Sequence, residues 1–385
     1  MTISIDVERP LLPDLPAPRT RTVSRPVAAR IAGVGTAVTA ESYTQQEVLD
    51  LFGITDPKIR SVFLNSAINR RHLTLPPPDV DGRRVSEPQG ELLAKHTRLA
   101  VDMAVRAIRS GLDDAGASLA DIDYLCCVTS TGFLTPGLSA LIIREAGIDP
   151  GCHRVDVVGM GCNAGLNALN GTAAWARGNP GRLAVMVCAE ACSAAYTFDS
   201  TMRTAVVNSL FGDGAAAIAL VAPDGTGGTD ATAGSAPAGG PRVLAFASHI
   251  ITDAIGAMRY DWDADQHRFS FFLDPDIPYV VGANAERVVD RLLGGAGLPR
   301  SAIRHWLVHS GGKKVIDAVR VNLGLTRHDL RHTTGVLADY GNLSSGSFLF
   351  SYERLMTERV AEPGDYGVLM TMGPGSTIET ALVQW

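Results

Sequence analysis

Two segments of the chain show the same order of features, and this repeat limits the folds that the sequence can adopt. Ala115-Gly116 and Ala296-Gly297 each end a helical pattern, and an isoleucine six residues after each glycine opens an apolar, strand-like run. Gly161-Cys162 and Gly341-Asn342, which are 180 residues apart, each open a stretch of small residues. Each half then closes on a glycine pair that runs into apolar residues. Self-similarity of this kind indicates an internal duplication.

The repeat predicts two fused copies of one α/β unit rather than several unrelated domains. Near-continuous apolar runs, such as LAVMVCAE at 183–190, alternate with helical patterns and predict a two-sided, parallel-rich sheet. We expect one half at 28–222 and the other at 242–385, joined by a small-residue loop at 223–241, with a flexible tail at 1–27. Equivalent loops of two such halves meet at their interface, where we expect the site.

Charge and composition exclude several classes of function. The chain has 34 Lys+Arg against 40 Asp+Glu, a formal charge of −6, which argues against a broad nucleic-acid surface. No apolar run reaches the roughly 18 residues of a membrane-spanning helix, and residues 1–27 lack the apolar core of a secretion signal.

Most of the six cysteines lie on apolar runs, so we expect reduced thiols and a cytoplasmic protein. No metal site is expected, because Cys188 and Cys192 lack a second ligand pair.

Cys162 is the cysteine with the context of a nucleophile. It follows the strand-like run VDVVGM and opens a small-residue helix, where the helix dipole and free amide donors are expected to lower the pKa of the thiol. Most free cysteines are instead small core residues, and we interpret the cysteines inside apolar runs in that way.

His309 and Asn342 are the residues of the second half that can complete a site with Cys162. His309 stands at the end of the strand-like run WLVH, where side chains of an α/β sheet project into a crevice. Asn342 precedes another helix, a place where asparagine also serves as an ordinary cap. Together the three residues suggest a mechanism in which protonated histidine stabilises a thiolate, and histidine and asparagine hold a thioester oxyanion.

Four strings in order, GMGCNAGLNAL, HSGGKKV, YGNLSSGSFLF and MGPGSTIET, resemble the motifs of the type III polyketide synthases, relatives of chalcone synthase. The resemblance runs from about residue 28 to the C-terminus. It implies a thiolase-like α/β fold with internally duplicated αβαβα layers, an acyltransferase activity and a homodimer. By position, Cys162 resembles the acyl-carrying nucleophile, with His309 and Asn342 as its partners in decarboxylation.

The resemblance also implies residues that shape the site around this triad. Phe211 and Phe271 fall where the family has two gatekeeper phenylalanines between a CoA tunnel and the cavity, although plain core packing is the alternative for any phenylalanine. The C-terminal glycine loop is Met372-Gly373-Pro374-Gly375, in which chalcone synthase has phenylalanine at the position of Met372. The segment around Thr135-Pro136-Gly137 also differs from the plant enzymes, which argues against a plant-type aromatic starter.

Few lysines are available to bind the phosphates of CoA. Lys58 matches one basic position of the family, whereas Ser61 and Asn65 stand at neighbouring basic positions. Lys313 and Lys314 are two of only four lysines in the chain, and we expect them to supply the missing charge. A solvated helix start is the alternative for this pair.

The strings CCVTSTGFLTPGLSALI and HWLVHSGGKKV are similar to those of a bacterial subgroup in which malonyl-CoA is both starter and extender. The resemblance implies decarboxylative Claisen condensations of four malonyl-CoA, then aldol cyclisation and aromatisation to 3,5-dihydroxyphenylacetyl-CoA, a precursor of dihydroxyphenylglycine in glycopeptide antibiotics. No cofactor is expected beyond the CoA thioesters that serve as substrates. An accessory dehydratase-like protein of the pathway is a candidate partner, whereas nucleic acid and membrane are not.

Other functions stay open from sequence alone. A type III polyketide synthase with another acyl-CoA starter has the same three residues, and so does a β-ketoacyl synthase III-like enzyme, which uses acyl-carrier protein. A papain-like cysteine hydrolase also orders Cys, His and Asn, but its nucleophile lies near the mature N-terminus of a disulfide-bridged domain. A non-catalytic thiolase-like scaffold is disfavoured, because all three reactive positions are occupied.

Overall fold

The computed structural model describes residues 28–81, 84, 87–199, 201–224, 240–265 and 267–385. The expected tail at 1–27 and most of the expected loop at 223–241 lie outside the described residues. Within these ranges no helix is long and apolar enough to cross a membrane.

Nine strands of the described chain form one central sheet, and four form two short two-stranded sheets. The strands are β1 (Arg30–Val38), β2 (Ser42–Thr44), β3 (Arg70–His72), β4 (Ile122–Thr129), β5 (His153–Val158), β6 (Leu183–Glu190), β7 (Gly214–Val221), β8 (Arg242–Ile250), β9 (Met258–Asp263), β10 (Arg268–Leu273), β11 (Ile303–Val308), β12 (Tyr366–Gly373) and β13 (Thr377–Gln384).

The α-helices lie between these strands in chain order. They are α1 (Gln45–Leu51), α2 (Pro57–Leu64), α3 (Gln89–Ala115), α4 (Leu138–Ala146), α5 (Ala164–Gly178), α6 (Met202–Leu210), α7 (Ile277–Ala296), α8 (Lys313–Asn322), α9 (Arg331–Tyr340) and α10 (Ser347–Glu358).

The central sheet has the same strand order on both sides of its middle. Its order is β11-β12-β13-β8-β1-β7-β6-β4-β5. Outward from the middle, β1-β7-β6-β4 on one side corresponds to β8-β13-β12-β11 on the other, and β5 extends the first side. The two sides meet where Arg30 of β1 pairs with Arg242 of β8.

The expectation of a parallel-rich sheet was wrong. Among the described strands of this sheet, β4 is parallel to β5 and β6, and β11 is parallel to β12, while the other five neighbouring pairs are antiparallel. The short turn Pro374–Ser376 joins β12 to β13, and it is too short for the crossover that a parallel pair requires. A continuous apolar run indicates burial on both faces, but it carries no information on strand direction.

Helices cover the sheet in layers, and alternate residues of each strand face different layers. In β6, Val185 and Val187 pack with α3 and α4 on one side, whereas Met186 and Cys188 pack with α5 and α10 on the other. The second side of the sheet packs against the same middle helices and against α7 and α8. The layers are therefore α3 and α4, the first side of the sheet, the middle helices α5 and α10, the second side of the sheet, and α7 and α8. This αβαβα order confirms the thiolase-like α/β fold class.

The two middle helices approach each other closely enough to require a glycine. A Cβ on Gly165 of α5 would lie 2.3 Å from the carbonyl oxygen of Ser345, just before α10. The close approach places the N-terminal end of α5 opposite segment 342–346 of the second half, and the site lies at this junction.

Candidate active site

Cys162 lies in a short 3-10 helix, Gly161–Asn163, between β5 and α5. Its side chain is 7% exposed, and its Sγ is 3.5 Å from Oγ of Ser344. Gly161 has a φ of 71°, and a Cβ there would collide with the ring of Pro374, so the turn requires glycine. The turn therefore directs the thiol towards the second half of the chain.

The expected lowering of the Cys162 pKa was wrong. Burial raises the pKa of the thiol to about 12; the Ser344 hydroxyl opposes this rise and the Glu190 carboxylate adds to it. Burial dominates because a thiolate would lose its hydration in the enclosed site, whereas a helix end contributes only a partial charge. Burial therefore favours the neutral thiol of Cys162 over the thiolate in the free protein.

His309 follows β11 directly, and its backbone N–H donates to the Met370 carbonyl oxygen at 2.8 Å. The side chain is buried, and Nδ1 has no hydrogen-bond partner in the described part of the chain. Burial lowers the pKa of the imidazole to about 3, so it is neutral at physiological pH. Burial thus favours the neutral forms of both groups before substrate binds, against the expected pair of protonated histidine and thiolate.

Asn342 lies between α9 and α10, and its side chain is buried. Its Oδ1 accepts a hydrogen bond from the Ser344 backbone N–H at 2.8 Å. Its backbone N–H donates to the Leu210 carbonyl oxygen at 2.9 Å, and its carbonyl oxygen accepts from the Gly212 N–H at 3.0 Å. Because Oδ1 is occupied, the Nδ2 amide is the group of this side chain that remains to donate to a ligand.

One cavity brings these three residues together. It has a volume of about 580 Å³ and is lined by residues from both halves, among them Cys162, His309 and Asn342. That volume is in the range of small-molecule sites. A second space of about 30 Å³ shares Cys162, Phe211 and Phe271 with the first.

Phe211 and Phe271 therefore lie at the boundary of the two spaces. Their ring centroids are 5.9 Å apart and the ring planes are at 85°, an edge-to-face arrangement that aromatic pairs favour. Phe271 belongs to β10 and also contacts the ring of Tyr260 at 5.1 Å. A change in either phenylalanine would alter the opening between the spaces.

The glycine loop from Met372 to Gly375 lies against the turn that carries Cys162. A Cβ on Gly373 would lie 2.6 Å from the backbone nitrogen of Asn163 and 3.0 Å from that of Cys162. Met372 lines the larger cavity and Pro374 the smaller space. Gly375 has a φ of 74°, which permits the turn into β13.

The lysines differ in their relation to the cavity. Lys313 and Lys314 form the first turn of α8 and line the larger cavity, where the positive end of the helix dipole adds to their charge. Lys58 is exposed at the start of α2 and is not among the lining residues, whereas Ser61 and Asn65 of the same helix are.

A buried polar network beside Cys162 was missed from the sequence. Glu190, 0% exposed, accepts from the Ser130 N–H at 3.0 Å, from the Ser130 hydroxyl at 2.9 Å and from the Ser345 hydroxyl at 2.5 Å. The hydroxyl oxygens of Ser130 and Ser344 are 2.8 Å apart, so hydrogen bonds lead from Cys162 to Glu190. Burial raises the pKa of Glu190, although the two serine hydroxyls oppose this. The sequence feature that could have indicated this network is the glutamate at the end of the apolar run LAVMVCAE.

Two further side chains of the smaller space were not anticipated. Tyr260 lines it from β9, and Cys192 lines it although its apolar surroundings indicated an ordinary core cysteine. No group of three or more His, Cys, Asp or Glu residues within the described ranges could hold a metal ion.

The layered fold and a buried cysteine, histidine and asparagine in one cavity define a condensing enzyme of the thiolase-like class. Family models agree: residues 87–224 match the N-terminal domain of chalcone and stilbene synthases, and residues 256–385 match the C-terminal domain. The chain therefore belongs to the chalcone and stilbene synthase family, the type III polyketide synthases.

Two curated relatives are similar over nearly the whole chain. The 3,5-dihydroxyphenylacetyl-CoA synthase of Amycolatopsis balhimycina is 72% identical over 92% of this chain and 93% of its own length. The enzyme of the same name from Streptomyces toyocaensis is 67% identical over 100% of this chain and 99% of its own.

Solved structures show the same fold at lower identity. PKS-I from the brown alga Ectocarpus siliculosus has a TM-score of 0.85 and 25% identity, covering 94% of this chain and 100% of that one. The 1,3,6,8-tetrahydroxynaphthalene synthase of Streptomyces coelicolor A3(2), a bacterial type III polyketide synthase, has a TM-score of 0.81 and 28% identity, covering 92% and 99%.

Proposed function

We propose that the protein condenses four molecules of malonyl-CoA to 3,5-dihydroxyphenylacetyl-CoA, with malonyl-CoA as both starter and extender. The observation that carries the chemistry is the single cavity that holds Cys162, His309 and Asn342. The choice of product is supported by relatives named 3,5-dihydroxyphenylacetyl-CoA synthase that are 67% and 72% identical to this chain.

Cys162 carries the growing chain in this proposal. Its sulfur attacks the thioester carbonyl of the first malonyl-CoA, the thiol proton is released, and the departing CoA thiolate takes up a proton. A neutral thiol in a buried site suits this step, because the charge exists only while the acyl group is transferred. The product of the step is an acyl thioester at Cys162.

His309 and Asn342 act on each malonyl-CoA that enters as extender. A neutral imidazole can donate one N–H, and the Nδ2 amide of Asn342 is fixed in place because Oδ1 is held by Ser344. Two donors aimed at the thioester oxygen stabilise the enolate that forms as carbon dioxide leaves. The enolate carbon then attacks the carbonyl of the Cys162 thioester: the new carbon–carbon bond forms, the bond from that carbonyl to Sγ breaks, and the freed Cys162 thiolate takes up a proton. The lengthened chain is now a CoA thioester, and it returns to Cys162 by the same acyl transfer before the next extension.

Three condensations, together with loss of the starter's own carboxyl group as carbon dioxide, give an eight-carbon chain, which closes its ring by aldol addition and loss of water. The space of about 30 Å³ beyond the phenylalanine pair is far smaller than such a chain, because a single water already needs about 10–15 Å³. A chain that grows from Cys162 into this space therefore requires the rings of Phe211 and Phe271 to move. Every step is a condensation, decarboxylation, dehydration or acyl transfer, so CoA thioesters are the only small molecules that the proposal needs.

The proposal places the phosphates of CoA at Lys313 and Lys314. Both lysines line the larger cavity, and the N-terminus of a helix binds phosphate through its free N–H groups. Lys58, which the cavity does not include, is left with a weaker, longer-range role.

The edge of the central sheet and the unpaired cysteines support the expected homodimer and compartment. The edge strand β5 exposes Val155 and Val158, each 39% exposed, and such an edge suits pairing with a second copy in a homodimer. The six cysteines are unpaired, which supports work in a reducing compartment such as the cytoplasm. The family resemblance suggests a place in the supply of dihydroxyphenylglycine for glycopeptide antibiotics, together with an accessory dehydratase-like protein.

The test is incubation with malonyl-CoA labelled with ¹³C in the malonyl group as the sole substrate, followed by mass spectrometry. We expect dihydroxyphenylacetyl-CoA with eight labelled carbons, and none from Cys162→Ala. Cys152→Ala, which changes a cysteine outside both spaces, is the matched control and should retain the activity. Turnover only after addition of an aromatic or fatty acyl-CoA would refute the proposed starter, and a product heavier by one water would assign the dehydration to a partner.

A further inference from the structure

Arg71 is a buried cation that contacts the backbone of Phe211, one member of the phenylalanine pair. It lies on β3, its side chain is 0% exposed, and its guanidinium stands over the rings of Phe63 and Tyr196 at about 6 Å. In the described part of the chain its hydrogen bonds all go to uncharged oxygens. Burial lowers the pKa of this arginine. The nearby Asp213 carboxylate opposes this shift but accepts none of these hydrogen bonds. A buried charge that is not hydrogen-bonded to a carboxylate is costly, so its retention calls for a specific reason.

The guanidinium caps the C-terminal end of α6. Its Nη1 donates to the carbonyl oxygens of Asn208 and Phe211, the latter at 2.7 Å. Its Nη2 donates to Oε1 of Gln45 at 2.7 Å, and Nε2 of Gln45 donates in turn to the Ser209 carbonyl oxygen at 2.7 Å. The last carbonyl groups of a helix lack partners within the helix, and a cation there also interacts favourably with the helix dipole.

The remaining carbonyl at this helix end, that of Leu210, accepts from the backbone N–H of Asn342. The residue on the other side of Phe211, Gly212, donates its N–H to the Asn342 carbonyl oxygen. Phe211 is therefore held between two backbone hydrogen bonds to Asn342. The helix end, the aromatic ring and the amide form one connected unit.

Arg71 also limits the backbone that precedes Asn342. Gly341 has a φ of 74°, and a Cβ there would lie 2.7 Å from the Leu210 carbonyl oxygen and 2.8 Å from Cδ of Arg71. The aliphatic part of the arginine thus packs on the turn while its guanidinium holds the helix end. One side chain contacts both parts of the unit.

We propose that Arg71 is a positioning residue for the decarboxylation step, because it fixes the Asn342 amide and the Phe211 ring relative to each other. This inference rests on the proposed role of Asn342 in the reaction. A change from guanidinium to ammonium keeps the charge but removes the forked geometry that reaches two carbonyl groups and Gln45 at once. The expected result is a misplaced amide and a slower reaction in a folded protein.

A double-mutant cycle on malonyl-CoA decarboxylation tests the proposal, with radiolabelled substrate for the slow variants. The four proteins are the wild type, Arg71→Lys, Asn342→Ala and the double variant. We expect Arg71→Lys to lower kcat about tenfold or more with little change in KM, since misplacement of a group by about 1 Å can cost up to about 100-fold. In the Asn342→Ala background the same change should cost less than about twofold, because residues that act together are not additive.

The controls separate positioning from stability. Arg70→Lys changes the exposed neighbour on the same strand and should leave the rate at the wild-type value. Should Arg71→Lys fail to fold, Tyr196→Phe takes its place in the cycle, because the Tyr196 hydroxyl accepts from Arg71 and donates to the Phe211 carbonyl oxygen.

Equal losses in both backgrounds would show a general structural effect and overturn the proposal. A wild-type rate in folded Arg71→Lys would overturn it as well, while leaving the proposed function intact. An Asn342→Ala protein as fast as the wild type would refute the proposed role of Asn342, and this inference with it.

Discussion

The hydroxyl oxygen of Ser344 lies 3.5 Å from the sulfur of Cys162, although the two residues belong to different halves of the chain. The backbone N–H of the same serine holds Oδ1 of Asn342 at 2.8 Å. One turn of the second half therefore orients the amide of the triad and supplies the hydrogen-bond partner of the nucleophile. The reactive groups are assembled by the packing of α5 against the segment before α10.

Removal of this hydroxyl should make Cys162 less reactive. The Ser344 hydroxyl lowers the pKa of the thiol, so Ser344→Ala raises that pKa further. A hydrogen bond with a net value of about 1 kcal/mol corresponds to a roughly fivefold slower alkylation of Cys162 by iodoacetamide at fixed pH. Ser351→Ala, a buried serine within α10 that bonds to the Ser347 carbonyl oxygen, should leave the rate unchanged. An equal rate in Ser344→Ala would contradict the assigned hydrogen bond.

The pH dependence of Cys162 alkylation distinguishes a neutral thiol from an ion pair. Burial raises the pKa of the thiol to about 12, so the thiolate fraction grows about tenfold with each pH unit between about pH 6 and pH 9. We expect the alkylation rate of the substrate-free protein to rise in proportion across that range, measured on the peptide that contains Cys162. A plateau at or below about pH 7 would instead reveal a thiolate paired with protonated His309.

His309 should not titrate in the usual range of histidine. Its pKa is lowered to about 3 by burial, so the imidazole stays neutral as the pH falls from about 7.5 to about 5. We expect kcat/KM for malonyl-CoA decarboxylation to be level over that interval in Cys162→Ala, which removes the thiol from the profile. His309→Gln should be slower but have the same pH profile. A tenfold loss per unit below about pH 6.5 that disappears in His309→Gln would show that the histidine has an ordinary pKa.

We expect Lys313 and Lys314, at the start of α8, to bind the phosphates of CoA and to make no contribution to the reaction of the malonyl group. We expect Lys313→Ala and Lys314→Ala each to raise KM for malonyl-CoA several-fold at low salt, and less at high salt, because exposed charges are screened. Malonyl-pantetheine, which lacks the nucleotide phosphates, should be used equally well by the wild type and by both variants. Arg320→Ala, at the other end of the same helix, is the control, and Lys58→Ala should have a smaller effect. An equal loss with malonyl-pantetheine would contradict the assignment.

Local patterns in the sequence predicted much of the architecture. The apolar run LAVMVCAE became β6 with the same bounds, and the glycine-flanked turns around Cys162 and Asn342 lie where the repeat placed them. Strand direction was not predictable in this way, because burial on both faces is the same for parallel and antiparallel strands. The short turn after Met372 makes β13 antiparallel to β12. From the sequence, the glycines of this turn were recognised as a family motif and not as a tight turn between two strands.

Local sequence patterns also could not predict the contacts between segments that are far apart in the chain. Ser130 and Ser344 are 214 positions apart, so nothing in either segment indicates that their hydroxyl groups meet beside Glu190. Arg70 and Arg71 are neighbours in the sequence, yet one is exposed and the other fully buried, because only Arg71 faces the end of α6. The effect of burial on the pKa values of Cys162 and His309 was missed for the same reason, since the folded chain creates that burial.

The identity of the residue that carries the acyl chain can be measured directly. The wild-type protein is mixed with ¹³C-labelled malonyl-CoA, quenched in acid during turnover, digested, and analysed by mass spectrometry. We expect labelled acyl groups on the peptide that contains Cys162, and neither adduct nor aromatic product from Cys162→Ala. Aromatic product formed without an adduct on Cys162, or an acyl group carried on Cys192 instead, would contradict the mechanism.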